Sequence, residues 1–125
     1  MDFKSSVVFL PCTDIERTFR FYHRLLGLPV AQKQSDNLYV FDTGRGYWGF
    51  CQYADGRAPL SGPKGVCLSL NMESAEAVCE AFERIRDLCP VHQPPRRHPV
   101  FPVFSCFLLD PDGYLVELQK VDGGF

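Results

Sequence analysis

Apolar and polar positions follow two similar series along the chain, and each series contains one helical stretch. The first series begins with an apolar run from Val7 to Cys12, which is typical of a strand. Thr13 followed by Glu16 predicts a capping box at the start of a helix, and Gly27 with Pro29 predicts its end near Leu26. The apolar residues at helical spacing between these signals are Ile15, Phe19, Tyr22, Leu25 and Leu26.

The remaining pattern predicts strands, then a repeat of the same order. Three strand-like runs at 30–33, 38–42 and 47–53 precede a polar, Gly/Pro-rich connection at 55–64. A strand at 65–70 and a helix from 74 to about 88 follow, and further strands complete the chain. The residues expected to face inward on this second helix are Val78, Ala81, Phe82, Ile85 and Leu88. We therefore predict an α+β fold of paired βαβββ modules, about 1–56 and 65–121, in a single domain of residues 1–125.

The last stretch of the chain combines a turn with a charged strand. Residues 111–113, Pro-Asp-Gly, form a turn sequence because proline presets φ, aspartate bonds nearby backbone and glycine accepts a positive φ. Strand formers lie before it at 104–109 and after it at 115–118, where Glu117 stands among apolar residues. The pattern predicts a β-hairpin on which Glu117 faces water, a partner or a metal.

The segment from Pro90 to Pro102 is dense in proline, which makes it stiff and removes donors for sheet pairing. It carries Arg96, Arg97 and His98. We interpret it as a solvated loop, with a lid or dimer arm that brings cations toward an anionic ligand as the alternative.

Composition narrows the functional classes. The chain has 125 residues, of which 46 % are hydrophobic, so it can bury a core. A net charge of −2 argues against a nucleic-acid partner, which requires a cationic face. With no run long enough to span a membrane and no basic signal segment, we expect a cytoplasmic protein with no membrane partner. The six cysteines include no C-x-x-C pair, and we expect most of them to be buried free thiols.

Two motifs resemble those of the vicinal oxygen chelate superfamily, which includes glyoxalase I, bleomycin-resistance and fosfomycin-resistance proteins and extradiol dioxygenases. The first is DIERTFRFY at 14–22 with LLGL at 25–28, and the second is DPDGYLVEL at 110–118. The resemblance covers nearly the whole chain and implies the paired βαβββ fold. It does not select a reaction, because this fold supports many functions.

The resemblance also implies four metal-ligand positions, as found in the metal-binding members. In chain order these match Val7, Phe50 (alternatively Gln52), Gly65 or Val66, and Glu117. Val, Phe and Gly side chains offer no donor atom, whereas a catalytic divalent site needs about three protein ligands. We therefore expect no metal and no other cofactor.

Alternation along the strands suggests which side chains line a cleft formed by the sheet faces. The aromatic candidates are Phe9, Tyr39, Phe41, Trp48, Phe50 and Phe107, and the polar ones are Gln52, Ser69 and Asn71. An aromatic cleft with few polar groups suits a planar or amphipathic small molecule. The alternative is that these aromatic residues fill the core between sheet and helix, and for Trp48 and Phe50 both interpretations stay open.

The leading hypothesis is a metal-free protein that binds a small aromatic or amphipathic molecule, as resemblance to the bleomycin-resistance proteins implies. Glu117 would select a cationic or hydrogen-bond-donating ligand, and the protein would be a homodimer. The alternative is a superfamily enzyme, a lyase, isomerase or dioxygenase, in which Glu117 is a metal ligand or a general base. Glu117 is otherwise structural, bonded to Gln52 or a tyrosine hydroxyl, with Gln119 on the same face. A third possibility is an accessory domain that binds a protein partner.

Overall fold

The computed structural model describes residues 1–59 and 65–124. The contacts divide the chain into two compact units, Met1–Ser61 (unit 1) and Gly62–Phe125 (unit 2). The second half of the predicted connection, residues 60–64, lies outside the described residues.

Unit 1 has one sheet and one helical segment. Its elements are β1 (Val7–Pro11), α1 (Ile15–Phe19), a π-helical segment (Arg20–Leu25), β2 (Val30–Gln34), β3 (Leu38–Asp42) and β4 (Tyr47–Cys51). The strand order is β1-β4-β3-β2, and β1 is parallel to β4 while the other pairs are antiparallel.

Unit 2 repeats this topology. Its elements are β5 (Cys67–Asn71), α2 (Ala75–Ile85), β6 (Val91–Arg97), β7 (Val103–Leu109) and β8 (Leu115–Val121). The strand order is β5-β8-β7-β6, with β5 parallel to β8. The prediction of an α+β fold with two βαβββ modules is confirmed.

The first helix begins one residue later than the capping-box pattern predicts. Asp14, and not Thr13, is the N-cap, and its carboxylate accepts the N–H groups of Glu16 and Arg17 at 3.1 and 3.3 Å. Aspartate is as good a cap as threonine, and here it directly precedes the first helical residue. The helix widens after Phe19 to a π-helical segment and ends at Gly27, whose φ of +79° favours glycine.

Each helix packs on one side of its own sheet. Tyr22 is fully buried against the aromatic residues of β3 and β4, and Val78, Phe82 and Ile85 are the buried residues of α2. Leu88, predicted to face inward, is instead 68 % exposed because α2 ends at Ile85.

The proline-rich segment is not simply a loop, because most of it forms β6. Pro94 and Pro95 fall where the pairing with β7 shifts register, between Gln93 and Arg96. β6 is one of the two edge strands of its sheet, so prolines at this bulge cost few hydrogen bonds between strands.

All six cysteines are free thiols, as expected, but the expectation that most are buried is wrong. Cys12 and Cys106 are buried, whereas Cys67 and Cys79 are exposed. Cys67 lies at the start of the edge strand β5, and Cys79 lies on the outer side of α2, where little covers them. Within the described ranges, no helix has the length and apolar character needed to cross a bilayer.

Candidate functional site

Each sheet has a helix face, which packs on the helix of its unit, and an opposite side that we call the open face. In unit 1 the helix face carries most of the aromatic residues that the sequence suggested for a cleft. Phe50 is fully buried and stacks on Tyr22 with ring centroids 4.4 Å apart. Trp48 meets the edge of the same Tyr22 ring at 6.1 Å. Both residues therefore lie in the core position that the sequence left as an alternative.

Tyr39 and Phe41 share this placement. The Tyr39 ring is tilted by 33° against the Phe19 ring on α1, with centroids 4.8 Å apart, and the Phe41 and Tyr22 ring centroids are 5.7 Å apart. The cross-strand pairs of β3 and β4 put them on the face of Phe50 and Trp48. Alternation groups these four residues correctly, and the helix then covers the side they occupy.

Gln52 has a structural contact at the start of α1. Its Oε1 accepts the backbone N–H of Ile15 at 3.1 Å, so it satisfies a helical N–H that Asp14 does not reach. The two residues are far apart in sequence, and no local pattern indicates this contact.

Phe9 lies on the open face of unit 1 and is 48 % exposed. Its ring rests on the backbone of Gly49, the residue paired with it on β4. A Cβ at position 49 would stand 2.5 Å from a Phe9 ring carbon, so only glycine lets the ring lie flat on the sheet.

Beside Phe9 the open face of unit 1 forms a groove of about 360 Å³. Val40 is on its floor at the centre of the sheet, Gln32 and Tyr47 supply polar atoms, and the complete lining is Val7, Phe9, Ala31, Gln32, Val40 and Tyr47. Of these residues the sequence pointed to Phe9 alone as a binding residue. The sequence signal that could have indicated the groove is Gly49, because a glycine inside a strand often marks a place where another group lies close to the backbone.

The open face of unit 2 carries Glu117, Ser69 and Phe107 side by side in one row of three paired strands. The Ser69 hydroxyl donates a hydrogen bond to Glu117 Oε1 at 2.6 Å. Phe107 is the cross-strand neighbour of Glu117 on β7, and the His92 ring stands edge-on to it at 6.3 Å. The structure thus brings together three of the four unit 2 residues that the sequence suggested, and the fourth, Asn71, lies in the next row of paired residues.

The next row of this face is also polar. The Gln119 side-chain amide donates to Asn71 Oδ1 at 2.9 Å, and Gln119 shares the Glu117 face as expected. On the other side of Ser69, the Cys67 sulfur lies 3.7 Å from the Ser69 hydroxyl oxygen. Partial burial raises the pKa of the Cys67 thiol, the Ser69 hydrogen bond opposes this shift, and the negative charge of Glu117 adds to it.

The residues at the positions implied for metal ligands do not fit a divalent ion. Val7 and Phe50 have no donor atom, and the alternative Gln52 uses its oxygen on the helix α1. Gly65 and Val66 offer no side-chain donor either, which leaves Glu117. Within residues 1–59 and 65–124, no three His, Cys, Asp or Glu side chains are grouped to hold an ion. These residues therefore do not support a catalytic step that depends on a bound metal ion.

The two open faces therefore offer different chemistry. The unit 1 groove can bury an apolar or aromatic group and hydrogen-bond it at its rim. The unit 2 row offers a carboxylate, which can accept hydrogen bonds, pair with a cation or accept a proton.

Three solved structures of the same fold have low sequence identity to this chain. A glyoxalase-related enzyme from Fulvimarina pelagi is 20 % identical with a TM-score of 0.77, and the match covers 95 % of this chain and 88 % of that one. A lactoylglutathione lyase from Agrobacterium tumefaciens is 23 % identical with a TM-score of 0.73, covering 94 % and 92 %. TioX from Micromonospora sp. ML1 is 20 % identical with a TM-score of 0.69, covering 94 % and 98 %. At these identities the likeness shows the fold.

No curated protein matches the chain. The family model of the glyoxalase/bleomycin resistance protein/dioxygenase superfamily matches residues 5–118, which is most of the sequence and includes both motifs. The protein therefore belongs to the glyoxalase/bleomycin resistance protein/dioxygenase superfamily.

Proposed function

We propose that the protein binds a small aromatic or amphipathic molecule without a metal, and that the unit 1 groove is its binding site. The observation that carries this proposal is the groove itself, about 360 Å³ in volume and lined mainly by apolar side chains. Small-molecule sites are typically concave and apolar with a few polar groups, in volumes of about 300–1,000 Å³.

The groove residues suit a planar ligand. Phe9 is held flat by Gly49 and exposes about half of its surface, 48 %, so a ring placed on it would remove apolar surface from water. Gln32 and Tyr47 can donate and accept hydrogen bonds at the edge of such a ligand. The expected ligand is therefore neutral at this site, with one or two polar substituents.

The test is the binding of 1-naphthol, a neutral planar probe with one hydroxyl, measured by isothermal titration calorimetry and mapped by amide chemical shifts. Phe9→Ala should weaken binding about two- to tenfold, because an aromatic pair contributes about 0.5–1.5 kcal/mol beyond its buried area. Phe3→Ala is the matched control, since Phe3 is 84 % exposed near the chain start and is not among the groove residues.

A second variant tests whether binding depends on the position of the Phe9 ring over Gly49. Gly49→Ala should push the Phe9 ring off the sheet and weaken naphthol binding as well. The amide chemical shifts of the α2 residues should stay unchanged. The proposal fails if naphthol does not bind, or if Phe9→Ala and Phe3→Ala bind it equally well.

A metal-free enzyme that uses Glu117 as a general base is the second candidate function. The observation in its favour is that Glu117 lies on the open face of its sheet, where Ser69 orients one carboxylate oxygen. The name of the Agrobacterium relative suggests lactoylglutathione as the first compound to assay. Turnover by the wild type that Glu117→Gln abolishes, with the fold intact, would favour the enzyme over the binding protein.

The proposal also includes a cytoplasmic location and a homodimer. Support for the dimer comes from β1, an edge strand on which Val7, Val8 and Phe9 are all at least 40 % exposed. Exposed apolar edge strands are surfaces on which a second chain can pair.

A further inference from the structure

The Glu117 carboxylate is an uncompensated charge in the middle of a sheet face. The ion pairs of the described residues are Asp55–Arg57, Glu83–Arg86 and Arg97–Asp122, so no cationic side chain lies within 4 Å of Glu117 in that part of the chain. Ser69 donates one neutral hydrogen bond to it, which leaves its negative charge in place. Half-buried carboxylates are ordinarily matched by a cation or by several donors.

The positions around Glu117 supply no counter-charge. Leu115 and Gln119 flank it on β8, and Ser69 and Phe107 are its neighbours across the strands. The Gln119 amide is bonded to Asn71. Arg96 lies on β6, where it pairs with Ser105 of β7, so it is two strands and about 10 Å across the sheet from β8 at the usual strand spacing.

Phe107 provides an apolar platform next to this charge. Cross-strand neighbours have Cβ atoms about 4.5–5.5 Å apart, so a molecule that contacts Glu117 with its polar end can lie on the Phe107 ring with its apolar end. The ring also attracts cations through its negative face. His92 borders the platform edge-on and is the titratable group that faces Phe107 from β6.

We infer that the open face of unit 2 binds an organic cation, whose ammonium or amidinium group pairs with Glu117 and whose apolar part lies on Phe107. A metal ion is the poorer match, because hard cations require several oxygen ligands and this face supplies one carboxylate. An amidinium is planar and can form two parallel charge-assisted hydrogen bonds to a carboxylate. This site uses none of the residues that line the unit 1 groove, and it rests on the proposed function only in taking binding as what the protein does.

The test compares benzamidinium with benzamide, which has the same shape and no charge, by titration calorimetry on the full chain. Wild-type protein should bind benzamidinium about tenfold or more tightly than benzamide, because charge-assisted hydrogen bonds are roughly twice as strong as neutral ones. The amide signals of Ser69, Phe107 and Glu117 should shift on binding.

Three variants locate the site. Glu117→Gln should abolish the preference for the cation while keeping an oxygen for Ser69, and Phe107→Leu should weaken both probes. Glu83→Gln is the matched control, because Glu83 is an exposed α2 carboxylate paired with Arg86 and should leave both affinities unchanged. If Glu117→Gln fails to fold by circular dichroism, a salt titration of the wild type replaces it, since added salt should weaken benzamidinium binding and not benzamide binding.

Equal affinities for the two probes, no binding of benzamidinium, or an unchanged preference in Glu117→Gln would overturn the inference. These failures are distinguishable from failure of the proposed function, which 1-naphthol reports at the unit 1 groove. If naphthol binds but no cation preference depends on Glu117, the unit 1 groove alone remains as a proposed binding site. If neither response is seen, both proposals are refuted.

Discussion

At the scale of single residues, the C-terminal turn depends on Asp110 more than its sequence suggests. The Pro-Asp-Gly sequence at 111–113 predicts that Asp112 bonds the turn. In the structure, the buried Asp110 accepts the N–H groups of Asp112 and Tyr114 at 2.8 and 2.9 Å. A carboxylate bonded in this way closes the turn from its first position, and Gly113 completes it with a φ of +84°.

Cys106 gives a residue-scale prediction for the pH dependence of stability. Its burial raises the pKa of the thiol from 9.0 to about 11. Above pH 9 the unfolded chain loses this proton while the folded chain keeps it. The contribution of this thiol to the free energy of unfolding should therefore be complete below pH 9 and should be lost as the pH rises toward about 11.

Urea unfolding under reducing conditions at pH 8, 9 and 10 measures this slope. Cys106→Ala will lower the stability at every pH because it leaves a cavity, but its stability should decline less steeply with pH. Parallel pH profiles for the wild type and the variant would contradict the assignment.

At the scale of elements, the turn between β6 and β7 is an ordered tip that exposes apolar side chains. Val100 and Phe101 are 79 % and 64 % exposed, and His98 Nδ1 accepts the backbone N–H groups of both at 3.0 and 2.9 Å. The backbone N–H of His98 donates a hydrogen bond to the backbone carbonyl of Val103 and closes the hairpin. The proline-rich segment is therefore held by one imidazole acceptor as well as by its prolines.

Replacing that acceptor should loosen the tip. His98→Phe keeps a ring beside Phe101 but removes the nitrogen, so the amides of Val100 and Phe101 should exchange hydrogen about fivefold faster, as expected for a loss of about 1 kcal/mol. His92→Phe is the control, because His92 lies against Phe107 instead. Unchanged protection in His98→Phe, measured by NMR, would show that the prolines alone order the turn.

At the scale of the whole molecule, the donor set predicts that the protein binds no catalytic metal. Dialysed protein titrated with Zn²⁺ or Ni²⁺ should show no stoichiometric binding and no rise in melting temperature. The implied ligand positions offer only the Glu117 carboxylate and the Gln52 amide oxygen, and the latter is bonded to the Ile15 N–H. One ion per chain, lost in Glu117→Gln, would contradict this prediction and favour the enzyme.

The proposed homodimer is a second prediction at this scale. Light scattering at micromolar concentrations should give a mass of about twice 14.2 kDa, because each four-stranded sheet ends in edge strands that can pair with another chain. Introducing charge on the exposed edge with Val8→Lys should shift the mass toward the monomer, whereas Phe3→Lys should not. A monomeric wild type would refute the dimer.

The sequence by itself determined the elements and their order. Alternation of apolar residues, the glycines and prolines at the turns, and the two superfamily motifs are local signals, so they could be interpreted without knowing the packing. They predicted the topology of both units and placed Ser69, Phe107 and Glu117 on strands that turn out to be neighbours. The boundaries shifted by a few residues where two local signals competed, as at Thr13 and Asp14.

Only the tertiary structure decided which side of each sheet is covered. Alternation puts Trp48 and Phe50 on one side of β4 and Gly49 on the other, but both sides of this sheet are apolar, so the pattern cannot say which one meets the helix. The stacking of Tyr22 on Phe50 settles it, and this contact joins residues far apart in the chain. The same packing leaves Phe9 over Gly49 on the open face and takes Gln52 to the start of α1, because long-range contacts have no local sequence signal.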